Sequence, residues 1–325
     1  MRGGQGGDGT LTPPRTPAVP LSRYNFVRMS EENDTSDTPN PTQEQNSYGR
    51  SIVFLGRERS PAFVTESTRL PARLTSGQVL VKVELATICG SDLHTLNGTR
   101  TTAQPCILGH EGSGLVVASA REGMREGQRV TWGVCASCNK CLYCSIGLEN
   151  KCKTLQKGAG MLGMYASALL KEAGFSKVFC VDVNRVRLTR VAEFGAIPVH
   201  HDQEEEVIPT GSVDVVFEVC GNKEVVNQGV RVLRQGGTYV LVGLVCPSDA
   251  HLPVTALVLK CLTVVGVHNY TAKHLQQAVT FMERHHDHYP FASLVGLVYP
   301  LTDFRCAVEA ARSGQFFRVG VNPQQ

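Results

Sequence analysis

Between Ser51 and Val130 the apolar residues come in short runs separated by turn residues. The segments "QVLVKVELATIC" and "GSGLVVASA" read as strands, so this part is expected to be mostly β. After Gly158 the pattern changes. "GMYASALLKEAG" reads as a helix ending at Gly174, and "KVFCVD" as a strand. "NRVRLTRVAEFGA" then reads as a helix, "DVVFEVCG" as a strand, "KEVVNQGVRVLRQGG" as a helix and "TYVLVGLV" as a strand, with "CLTVVGV" as another. Such alternation predicts a parallel sheet with helices on its faces. The last stretch, "HLQQAVTFMERHH" and "FRCAVEAARSG", predicts amphipathic helices that pack back on the β-rich part. No internal repeat is evident.

Residues 1 to about 48 differ from the rest. They hold Gly, Pro, Ser, Thr and Asn with few large apolar side chains, too few to offset the entropy of ordering, and are expected to be disordered. Four arginines against one aspartate in the first 28 residues permit an organelle-targeting reading such as mitochondrial import. The Gly and Pro content opposes the amphipathic helix that such a peptide uses, so a cytoplasmic protein is the expectation.

The 325 residues suffice for two packed domains, and 42% apolar with 19% charged content is ordinary for a globular protein. A net charge of +3 without a dense basic cluster argues against a nucleic-acid partner. The longest apolar run, Tyr239 to Cys246, is far too short to span a membrane. Five of the twelve cysteines crowd between Cys135 and Cys152 at short gaps, which suits metal ligation in a reducing compartment better than disulfides. Cys138, Cys141, Cys144 and Cys152 form C-x2-C-x2-C-x7-C. Four thiolates at that spacing can close a tetrahedral structural zinc shell, with Cys135 left as a spectator.

Gly158, Gly160 and Gly163 give G-x-G-x-x-G at the start of a helix. Asp182 ends the strand "KVFCVD" 19 residues past Gly163, where an acid binds ribose hydroxyls and repels a 2′-phosphate. The implied cofactor is NAD rather than NADP.

"ICGSDLH" and "LGHEGSG" add Cys89 and His110 to the chemistry. These segments, the four-cysteine loop and the glycine turn together resemble the zinc-dependent medium-chain alcohol dehydrogenases, the group with sorbitol- and threonine-dehydrogenase-like members, from about residue 51 onward. The resemblance implies an α/β protein with a GroES-like β-rich catalytic domain over 49–157 and a Rossmann-type doubly wound sheet over 158–272. A return to the catalytic domain over 273–325 completes it. It implies Cys89 and His110 as ligands of a catalytic zinc, Asp92 as the carboxylate orienting the ligand histidine, and Ser91 and His94 as the relay for the alcohol proton. Glu111 corresponds to a carboxylate beside the metal that enters its shell in some members. By the same resemblance, zinc would lower the pKa of a small-molecule alcohol substrate and a hydride would pass to the nicotinamide. "GVHNY" either lines the cofactor cleft or forms the sheet edge through which family members dimerise, so a homo-oligomer is compatible with the chain.

One interval is missing. Only "KTLQK" separates Cys152 from Gly158, with Leu155 its single large apolar residue. A central strand buried on both faces reads as a nearly continuous apolar run, so the Rossmann-type sheet is expected to lack its first strand. "TLQK" is the only substitute, and six steps from Cys152 reach at most ~20 Å. The family's third catalytic zinc ligand also falls in that interval. Glu111 or Cys106 would have to supply it. The sharp junction reads as a deletion, and the chain is expected to be an impaired NAD-linked alcohol or polyol oxidoreductase. The competing expectation is a non-catalytic zinc-binding variant that associates with a full-length copy.

Two weaker features remain. "ERHHDHY" places His285, His286 and His288 near Asp287, at a surface loop or helix end with no matching ligand pair evident. Cys180, Cys220, Cys246 and Cys261 lie in or beside apolar strands and are expected to be small buried core residues.

Overall fold

A computed structural model describes residues 48–133, 141–148, 151, 162–243 and 250–325. The expected disordered segment, Cys135, Cys138, Cys152, "TLQK", Gly158, Gly160 and Cys246 lie outside the described residues.

The β-rich part opens with β1 (Tyr48–Phe54), β2 (Phe63–Arg69) and β3 (Val79–Ile88), then α1 (Gly90–Leu96). It continues through β4 (Cys106–Ile107), β5 (Glu111–Ser119), β6 (Arg129–Thr131) and a single helical turn, α2 (Leu142–Ser145). The next part runs α3 (Leu162–Glu172), β7 (Phe179–Asp182), α4 (Arg185–Leu188), β8 (Ile197–His200), α5 (Glu204–Val207) and β9 (Val213–Glu218). It goes on with α6 (Val225–Val232), β10 (Leu233–Leu241), α7 (Val254–Leu259) and β11 (Thr263–Gly266). The chain closes with α8 (Ala272–His285), β12 (Val295–Pro300), α9 (Phe304–Arg312) and β13 (Arg318–Asn322).

The strands form four sheets: β2-β1-β4, β12-β13-β3-β5-β6, β7-β8 and β11-β10-β9. In the five-stranded sheet the C-terminal β13 lies antiparallel to β3 and parallel to β12. Helix α9 covers it, and Ala307, Val308, Val319 and Val321 share a core with Phe54, Ile88 and Leu96. All strand pairs of the sheets β7-β8 and β11-β10-β9 are parallel. They stay apart: among the described residues no strand joins β7 to β9. The two sheets have the order expected of a doubly wound sheet whose first strand is absent.

Helix α3 packs on the β7–β8 side in a core of Met164, Ala168, Val191, Phe194, Tyr289, Phe291 and Leu294. The other half has its own core, in which the Tyr239 ring contacts the Cα side of Gly229 so closely that a Cβ there would overlap the ring. Among the described residues no helix is long and apolar enough to cross a membrane.

Several elements differ from expectation. The helix expected over 184–196 is two short pieces, α4 and a 3-10 turn at Val191–Phe194. Asn184 caps the first by accepting the N–H groups of Val186 and Arg187, and Gly195, at φ 76°, ends the second. The helix expected to continue to Gly237 stops at Val232, because Leu233 turns to extended backbone and pairs with Val213. Cys220 and Cys261 are exposed rather than core residues, and Cys180 is half-buried. Cys220 follows β9 into a loop, and Cys261 occupies a turn at φ 52° before β11.

Candidate active site

Strand β3 ends at Ile88 and delivers Cys89, which has no exposed surface, to the N-cap of α1. The first amides of a helix lack intrahelical partners, and Asp92 in the first turn faces back toward them. Its Oδ2 accepts the Cys89 N–H at 2.9 Å and its Oδ1 accepts the Gly109 N–H at 3.2 Å. That buried carboxylate therefore ties the helix to the segment carrying His110. Gly109 has φ 91°, a left-handed conformation suited to glycine, and this turn aims the next residue inward.

His110 Nδ1 lies 3.4 Å from Asp92 Oδ1, which leaves Nε2 for the interior of the cluster. There it meets Ser91 Oγ at 3.3 Å, and the same hydroxyl donates to Cys89 Sγ at 3.3 Å. Burial opposes a charge on His110, but hydrogen bonds to Asp92 and Cys89 outweigh it and push its pKa up to about 10. A cation is thus favoured at this point even without a metal.

Glu111 completes a cluster with Cys89 and His110 in which one ligand atom from each lies within 4.8 Å of the others. Ligand atoms around tetrahedral zinc sit roughly 3.3–3.8 Å apart, so the thiolate and the imidazole fit a metal after a small contraction. Glu111 is already engaged. Thr87, its cross-strand neighbour, donates to Oε2 at 2.6 Å, and Arg318 grips both oxygens at 3.1 Å through Nε and Nη2. A metal bound by Glu111 would compete with that bidentate ion pair. Cys106 is not in the cluster; burial, then the charge of Asp92, pushes its thiol pKa up, away from the thiolate that binds metal.

Arg318 and Thr87 are participants that sequence reasoning missed. Arg318 had a readable signal: a lone cation opening the apolar strand "RVGV", only 7% exposed. Tyr165, on α3, feels Arg318 and Glu111 as well; burial pushes its pKa up, with Arg318 acting against the rise and Glu111 adding to it. Helix α3 thus lies within electrostatic range of the Arg318–Glu111 pair. His94, one turn along α1 from Ser91, is on the exposed side with Nδ1 2.9 Å from Thr99 Oγ1.

Of the cysteine loop, Cys141 and Cys144 are described, with sulfurs 3.6 Å apart. That matches the ~3.8 Å edge of a tetrahedron built on 2.3 Å zinc–sulfur bonds. Gly163 lies in the first turn of α3, where an added Cβ would meet only Val219, at 4.0 Å. Asp182 ends β7 with Oδ1 accepting the Asn184 N–H at 2.8 Å, and is half-buried. At the end of β9, the buried Glu218 accepts the N–H groups of Gly221 and Gly243 at 2.6 and 3.1 Å. It holds those two loops together at the carboxyl end of the sheet.

Two family models match: the alcohol dehydrogenase GroES-like domain over residues 75–186 and the zinc-binding dehydrogenase over 162–284. The chain belongs to the medium-chain dehydrogenase/reductase family. Among its curated relatives in that family, it is 26% identical over 291 residues to a probable D-xylulose reductase A of Aspergillus clavatus, covering 66% of this chain and 81% of the relative. It is 24% identical over 316 residues to a sorbitol dehydrogenase of Halalkalibacterium halodurans, covering 76% and 92%. The fold is also that of an alcohol dehydrogenase from Thermotoga maritima, at 19% identity and a TM-score of 0.76 over 84% of this chain and 98% of that one. In the first of these alignments 66% of 325 residues is about 215, against 291 aligned positions. Some 75 positions therefore have no residue from this medium-chain dehydrogenase/reductase.

Proposed function

We propose that this chain is a shortened form of an NAD-linked, zinc-dependent alcohol or polyol oxidoreductase whose turnover is impaired. The observation that carries the reading is the division of the parallel strands into β7-β8 and β11-β10-β9. The glycine turn of such a fold takes its position from the strand between those halves, and the pyrophosphate from the helix start that follows. Two further observations support it: the deficit of about 75 alignment positions, and the overlap of the two family matches at 162–186.

The alcohol end retains its own residues. Asp92 orients His110, and Cys89 and His110 offer the thiolate and imidazole; zinc held there would act as a Lewis acid that lowers the alcohol's pKa. Ser91 Oγ, 3.3 Å from both ligand residues, is placed to take the alcohol proton, and His94 on the same helix leads toward solvent. Asp182 at the end of β7 would favour NAD over NADP through its charge.

A second reading, a non-catalytic partner of a complete copy, is supported by the outer edge of the larger half-sheet. All four residues of β11 are exposed, Val264 and Val265 among them, and a bare edge strand invites pairing. The deciding experiment combines NAD titration of the purified full chain with turnover of sorbitol and other secondary alcohols. We expect no saturable NAD binding and no turnover. Saturation with ordinary turnover would overturn the proposal of impairment, and mixed oligomers formed with a full-length relative would favour the partner reading.

A further inference from the structure

The C-terminal ends of α3 and α8 come together away from the Cys89 cluster. Glu172 is the last residue of α3 and His285 the last of α8. His288 follows in the turn, where the His285 carbonyl accepts the N–H groups of His288 and Tyr289 at 3.0 and 3.1 Å. One ligand atom from each of Glu172, His285 and His288 lies within 4.8 Å of the other two.

Four observations describe a cation seat. First, His285 Nδ1 is buried and lacks a hydrogen-bond partner; Glu172 Oε2 stands 3.5 Å away, too far for a good bond. Second, the other carboxylate oxygen is held, since the Tyr289 hydroxyl donates to Glu172 Oε1 at 2.7 Å, as residues behind metal ligands commonly do. Third, the His285 ring is wedged between Phe281, with centroids 4.6 Å apart, and Tyr289, at 6.4 Å, so its orientation is set by packing. Fourth, two helix C-termini converge here with a carboxylate, and their partial negative charge favours a cation. Lys171 and Arg284 in the same last turns oppose this; the Lys171 stem lies over Gly195. His286 is directed elsewhere, with Nε2 3.4 Å from Asp287.

We propose that Glu172, His285 and His288 bind a divalent metal ion of the zinc class, separate from the Cys89 cluster and the cysteine loop. Two imidazoles and one carboxylate suit zinc over magnesium or calcium, which prefer all-oxygen shells. Glu172 and His288 are exposed, so solvent completes the coordination. The ion would staple α3 to the C-terminal segment. This inference does not depend on whether the chain turns over an alcohol.

The test uses the full chain and zinc, with cobalt(II) as the spectroscopic probe. Wild-type protein dialysed against micromolar zinc is expected to hold one zinc more per chain than the H285A/H288A double variant. Substitution with cobalt should give it an extra visible d–d band, while the thiolate-to-cobalt absorption of the cysteine sites is the same in both. E172Q keeps an acceptor for Tyr289 and should weaken the site at least tenfold. Should the double variant fail to fold, H288A, an exposed change, should also weaken zinc binding at least tenfold. Equal zinc content and equal affinity in wild type and H288A would overturn the proposal and leave an ion pair only.

Discussion

Strands β13, "RVGVN", and β11, "TVVG", are both short, valine-rich and near an end of their sheets in sequence, yet their surroundings are opposite. β13 lies between β3 and β12 with Val319 at 0% and Val321 at 4% exposure. β11 has a single neighbour, β10, and Val264 and Val265 are 36% and 40% exposed. The β-rich part draws a strand from the far end of the chain and closes its sheet around it. The parallel part is left in two pieces, with β7 and β9 unpaired on their facing sides among the described residues. A strand's worth is set by its neighbours rather than by its own composition: among the described residues β13 has two and β11 has one.

The sharpest way to probe that contrast is to place the same charge in each strand. Val319→Asp should cost more than about 4 kcal/mol, enough to unfold a marginal domain, because it buries an unpaired carboxylate. Val265→Asp should stay within about 0.5 kcal/mol. Denaturant titrations of the two variants compare them directly, and equal losses would show that β11 is covered in solution. Arg318→Ala comes next, since it leaves Glu111 beside an empty site within the β-rich sheet. A loss of about 3 kcal/mol is expected, read by the same titration, with part of it recovered on adding Glu111→Gln.

Gly229→Ala probes the larger half-sheet. Its Cβ would overlap the Tyr239 ring, which is itself buried, so a loss of about 2 kcal/mol is expected. If that half-sheet is loose, calorimetry will show a smaller loss, because the ring would yield.

A further expectation concerns His110. Its pKa is raised from 6.5 to about 10 in the metal-free fold, so its contribution to stability is full below about pH 6.5 and is lost as pH rises through about 10. Metal must displace that proton. Zinc binding at pH 8 should therefore release close to one proton from His110, measured by calorimetry in buffers of different ionisation enthalpy. Absence of that release in wild type, with no difference from His110→Gln, would refute the ion-paired geometry.

Much of the site was legible because its pieces are local. Cys89, Ser91, Asp92 and His94 sit within two turns of one helix, and the His110–Glu111 pair follows a glycine that has to turn. The alternating pattern likewise located about half of the described helices and strands, but not β8, β12 or β13. Arg318 and Thr87 were missed since their meeting with Glu111 depends on strand pairing across 207 and 24 positions. Glu172 was missed for a related reason: three histidines near Asp287 draw attention to their own segment, whereas the carboxylate that joins them comes from the end of α3. Helix lengths failed where capping by Asn184 or pairing by Leu233 overrode an amphipathic run.

Residue order alone determined the family resemblance, the candidate thiol and imidazole of Cys89 and His110, and the absence of an apolar run before the glycine turn, because spacing and periodicity are properties of neighbouring residues. Tertiary structure decided that Glu111 is held by Arg318, that β7 and β9 end in separate sheets, and that Glu172 meets two histidines. Those outcomes depend on which distant segments pack together, and packing free energy is summed over contacts that no local pattern contains.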